Sequence, residues 1–120
     1  MNEFTTGVCE WRKTVNEEQI LCACSAYEEK YYFNPRYASL PVQIQEELQI
    51  MAVSLTADVG GVFTMEFDED GTLYMSTTAK ENDFSYDEIG SHLKIKQFRV
   101  KYGELLENLE TYYRAFFIGN

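Results

Sequence analysis

Residues 62–78 read VFTMEFDEDGTLYMSTT, and this stretch decides the fold. Phe63, Met65 and Phe67 alternate with Val62, Thr64 and Glu66, the period of a strand with one face turned to a core. Asp68-Glu69-Asp70-Gly71 makes a turn, and Leu73, Met75 and Thr77 resume the alternation beyond it. Asp-Gly between two alternating runs is a specific hairpin signal, because glycine tolerates the positive φ that such turns need.

Upstream of the hairpin lies a helix. Ser39 is placed to cap it, and Pro41 sits in its first turn, where a missing N–H does no harm. Ile44, Leu48, Met51, Ala52 and Leu55 follow at helical spacing, and Gly60-Gly61 closes the element. Before the helix, Gln19 to Ser25 alternates as a strand, with Ile20, Cys22 and Cys24 on one face and Leu21 and Ala23 on the other. A second strand over 30–34 is rich in aromatic residues and is stopped by Asn34-Pro35.

Downstream, 80–84 reads as a polar connection. Ser85 and Glu88 have the spacing of a capping box, predicting a short helical turn that reaches Gly90-Ser91. From Ile95 the apolar positions Phe98, Tyr102, Leu105, Leu109, Tyr112 and Phe116 step by three and four, predicting one long helix. Leu106 and Tyr113 broaden its stripe beyond a coiled-coil seam, so the helix is expected to cover a sheet. The predicted fold is therefore α+β, in the order β-β-α-β-β-α. It has a four-stranded, mainly antiparallel sheet with a long C-terminal helix packed on one face. Residues 1–17 are polar and aperiodic and read as an N-terminal arm on a single domain over 18–120.

Composition bounds the function. Across 120 residues, 45% are apolar and 15% aromatic, enough for a core. Twenty acidic against ten basic side chains give a net charge of −10. That balance argues against nucleic acid, whose phosphates call for clustered Lys and Arg, and against an anionic membrane surface. No apolar stretch approaches the length of a membrane span, and the first twenty residues carry no signal-peptide core. Cys9, Cys22 and Cys24 are odd in number and form no disulfide framework, so a cytoplasmic location is expected.

Chemistry-bearing motifs are sparse. His92 is the one histidine, and no nucleophile elbow, phosphate loop or dinucleotide fingerprint is present. Cys22-x-Cys24 has the wrong spacing for a zinc knuckle and reads as two small buried hydrophobes. Glu66, Asp68 and Asp70 before Gly71 resemble a calcium loop, but Thr77 stands where the bidentate Glu belongs, and a plain turn explains them. No cofactor is expected.

Charge is distributed unevenly. From Asp58 to Glu88 there are nine acidic residues and one basic, Lys80; Lys94, Lys96, Arg99 and Lys101 follow on the last helix. Tyrosine is also plentiful, and it suits interfaces by offering area and a hydroxyl at low entropy cost. Glu66, Asp68, Glu69, Asp70, Asp83, Tyr31 and Tyr37 are the expected interaction surface.

The segments AYEEKYYFNP, LPVQIQEELQIMAV, TADVGGVFTMEFDEDGTLYM and DEIGSHLKIKQ resemble an uncharacterised family of small, acidic, clostridial-type bacterial proteins. The resemblance covers roughly residues 20–118. It implies a bacterial, cytosolic, single-domain protein and transfers no catalytic or binding residue. Two functional readings follow. The first is a non-enzymatic interaction module, either an adaptor or an acidic neutralising partner of a basic protein. The second is a small-ligand or metal-binding domain with its site between sheet and helices. An enzyme built on carboxylates or on a Cys/His92 pair stands third, and homodimerisation is compatible with all of them.

Overall fold

The computed structural model describes residues 17–118; the arm expected over 1–17 lies, but for Glu17, outside the described residues, and Cys9 with it. Four strands, β1 (Ile20–Ser25), β2 (Lys30–Phe33), β3 (Val62–Phe67) and β4 (Leu73–Thr78), form one sheet in the order β2-β1-β3-β4. All neighbours are antiparallel. The hairpin predicted at 62–78 forms, with Phe63, Met65 and Phe67 opposite Thr77, Met75 and Leu73. The predicted α+β class and element order hold.

β1 departs from simple alternation. A bulge between Ile20 and Cys22 interrupts its pairing with β3, so Ile20 pairs with Glu66 while Cys22 pairs with Met65. The extra residue turns Leu21 to the same core as Cys22 and Cys24, and Ile20 and Ala23 are buried apart from that core. Leu21 was expected on the opposite face. A period-2 reading has no means of registering one inserted residue.

α1 (Val42–Val59) lies across β1, β3 and β2, burying Leu48, Met51, Ala52 and Leu55. Its N-cap is Pro41, and no side chain caps it; Ser39, expected in that role, instead bonds its hydroxyl to Tyr112 at 2.8 Å. Gly60 (φ 82°) ends α1 and Gly61 (φ 76°) starts the return to β3. A Cβ on Gly61 would lie 2.5 Å from the Thr78 carbonyl oxygen, so the hairpin approaches here as closely as a bare backbone allows.

The C-terminal half corrects the helix prediction. α2 (Glu88–Lys101) begins at Asp87, whose Oδ1 accepts the Gly90 N–H at 2.8 Å, and runs through Gly90-Ser91 without interruption. Ser85 caps nothing; its hydroxyl donates to Asp83. The Asp87 N–H is held by the Val59 carbonyl at 2.9 Å, which fixes where the helix can start. The long helix is then broken at Tyr102 (φ −111°, ψ 24°), and α3 (Gly103–Tyr113) continues into a π-type turn over Arg114–Ile118. Glycine in the helix interior weakens the segment where the break falls. α2 and α3 lie along β4, completing a helical layer over the core.

Candidate functional site

The residues of the expected interaction surface do not gather into one patch. Asp68, Glu69 and Asp70 sit at the β3–β4 turn, and Asp83 follows β4 at the other end of the hairpin, about 20 Å of strand away. Asp68 is consumed by its own turn, its Oδ1 accepting the Asp70 and Thr72 N–H groups at 2.9 Å each. Glu69 and Asp70 are exposed. The Asp70 carbonyl accepts from the Arg114 guanidinium at 2.9 Å, tying the turn to the C-terminal π-type turn.

Glu66 is half-buried opposite Ile20 and Tyr74, and desolvation raises its pKa above the ordinary carboxylate value. Asp83 accepts hydrogen bonds from Tyr27 (2.5 Å) and Ser85 (2.7 Å), which hold its carboxyl below the usual range. Tyr31 is half-buried in β2. Tyr37 is wholly buried, so it offers no side chain to a partner. It packs against Phe67, Tyr113 and Phe117 and donates its hydroxyl to the Glu18 carbonyl.

Among the described residues, two clefts border the helical layer. The larger, about 680 Å³, lies between the end of β4, the 79–87 loop and α2, with Lys80, Asp83, Glu88 and His92 on its walls. Thr77 bonds Tyr86 (2.7 Å) and Ser91 (2.5 Å), so these hydroxyls satisfy one another. The smaller cleft, about 460 Å³, lies between the β1–β2 hairpin and α1. Cys24 lines it, its thiol 3.4 Å from the Thr56 hydroxyl. Tyr31 lines it too; its hydroxyl is buried beside the Cys22 thiol without a partner at hydrogen-bonding geometry.

Cysteine–histidine chemistry finds no assembled pair among the described residues. Cys22 and Cys24 lie inside β1, and burial pushes the Cys22 thiol up to about 12, the direction that disfavours a nucleophilic thiolate. His92 is on α2 beside β4, and β3 separates β1 from β4. Among the described residues no group of three or more His, Cys, Asp or Glu is arranged to hold a metal ion, and no helix is long and apolar enough to cross a membrane.

The most conspicuous surface is one that the sequence reading passed over. α2 buries Ser91 and Phe98 inward, with Ile95 packed against the same core, yet its outward side is also apolar. Ile89 is 75% exposed, Leu93 56% and Val100 86%, and Phe84 in the preceding loop is 92% exposed. Steps of four and seven put Ile89, Leu93 and Val100 on one line of the helix, with Lys96 between the last two. That spacing was legible; following the inward stripe from Ile95 hid the outward one. Glu88 and Arg99 flank the line, and one Arg99 nitrogen donates to the Leu73 carbonyl at 3.3 Å. Lys94 is engaged by Asp58 of α1 at 2.5 Å.

Residues 18–120 match the model described as Family of unknown function (DUF6145), and the chain belongs to that family. No curated protein and no solved structure matches the chain.

Proposed function

From membership of a family with no assigned activity, we propose that this chain is a non-enzymatic protein-interaction module, an adaptor, that docks other protein chains through the outward face of α2. One observation carries the reading: Ile89, Leu93 and Val100 stand exposed in a single line of α2. A surface helix ordinarily turns charge outward, and a contiguous apolar patch rimmed by polar groups marks an interaction site. Scattered acids at the hairpin turn are ordinary solvated surface by comparison. Affinity capture with the tagged protein tests the reading, at low and at high salt. Leu93→Asp is expected to remove the captured chains while the fold persists, and an unchanged set of captured chains would refute the α2 face. In the neutralising form of the reading, a basic protein engages Glu69 and Asp70, and high salt releases it.

A second reading, a small-ligand domain, is favoured by the cleft of about 680 Å³ beside His92. A thermal-shift screen tests it, a stabilising compound losing its effect on His92→Ala. A bacterial, clostridial-type origin and a cytoplasmic location belong to the same proposal. The origin rests on the resemblance of the quoted segments, and the free thiols of Cys22 and Cys24 support the location, since a reducing compartment keeps such thiols free.

A further inference from the structure

We infer that the outward face of α2 binds the same face of a second copy of this chain, the two helices running antiparallel about a two-fold axis. The inference rests on the docking role proposed for α2 and names its partner. Helical geometry makes the face self-complementary. Eleven residues span three turns, so Ile89 and Val100 stand on one line, and Glu88 and Arg99 on the line beside it.

In an isologous interface each contact occurs twice. An antiparallel pair centred between Leu93 and Lys96 sets Ile89 of one protomer against Val100 of its partner. The same alignment sets Glu88 against Arg99, twice over. A parallel pair would leave Glu88 of one protomer about 16 Å along the axis from Arg99 of the other, so that charge pair would not form.

The wider charge pattern agrees. α2 is acidic where it starts, at Asp87 and Glu88, and basic where it ends, at Arg99 and Lys101. A foreign helix of one charge sign would match one end of this face and oppose the other, whereas a reversed copy sets the acidic end against the basic end. Lys96 interrupts the apolar line, but its stem can cover Leu93 of the partner while the ammonium reaches water.

The test is sedimentation equilibrium of the full chain over a roughly hundredfold range of concentration, with circular dichroism to verify folding. The wild type is expected to dimerise, and Leu93→Asp to be a folded monomer. Glu88→Arg and Arg99→Glu should each weaken association about tenfold or more, and the double reversal should recover most of that loss. With Cys9 replaced by Ser, Ile89→Cys and Val100→Cys chains should form a disulfide when mixed, and neither should do so alone.

A wild type that stays monomeric, a dimer indifferent to Leu93→Asp, or a double reversal no better than the singles would overturn the inference. A monomeric wild type whose capture of another protein is lost on Leu93→Asp removes the self-partner and leaves the docking face standing. A monomer whose captures ignore Leu93→Asp removes both.

Discussion

Two side-chain environments have measurable chemistry at the scale of the residue. Cys22 and Cys24 are buried and burial raises both thiols, Cys22 to about 12. In the folded protein both should resist iodoacetamide at pH 8, reacting at the rate of unfolding, as peptide mass spectrometry would record. Fast modification of Cys22 would show that β1 opens locally, and fast modification of Cys24 alone that the cleft it lines admits the reagent. Glu66 is the second case. Its pKa is raised by burial, so its neutral form favours the fold; that contribution is present below the unfolded carboxylate value and is lost as pH rises through the raised one. Glu66→Gln, neutral throughout, should therefore be more stable than the wild type at pH 7. The two should converge near pH 4 in urea titrations. An equal gap at both pH values would assign the effect to packing instead.

Glycines decide two junctions between elements. Gly61 combines a φ of 76° with a Cβ position 2.5 Å from the Thr78 carbonyl, so Gly61→Ala should cost more than about 1 kcal/mol in urea unfolding. Gly103 is the opposite case. No atom within 4 Å would meet its Cβ, so Gly103→Ala should stabilise by about 0.5–1 kcal/mol through the unfolded chain's entropy. A loss there would mean that the break at Tyr102 depends on glycine's own backbone freedom.

Elements are also where sequence reading reached furthest. The hairpin at 62–78, α1 and the order of strands and helices follow from periods and turn residues that sit side by side in the chain. The β1 bulge, the choice of Asp87 over Ser85 as N-cap and the burial of Tyr37 depend on distant partners: Glu66, Val59 and Glu18. No local pattern encodes those. The exposed line on α2 was encoded locally, as Ile89, Leu93 and Val100, but only packing reveals which of two apolar stripes faces water.

For the whole molecule, a self-associating α2 ties stability to concentration. Anything that binds the folded state alone raises the melting temperature by mass action. The wild type should therefore melt higher at high protein concentration than at low, and Leu93→Asp should melt at one temperature throughout. Differential scanning calorimetry at two concentrations checks this, and a concentration-independent wild type would count against the dimer.

The strand order has a kinetic side. Each hairpin, β1–β2 and β3–β4, joins neighbours in the chain, and such contacts form within microseconds. The seam between β1 and β3 is different: it brings Ser25 against Val62 across all of β2 and α1. Closing that loop loses entropy before the long-range contacts repay it. The central seam, not either turn, is thus where the folding barrier belongs. Ala23 and Thr64, paired at its middle, are the positions whose substitution should slow folding more than it hastens unfolding.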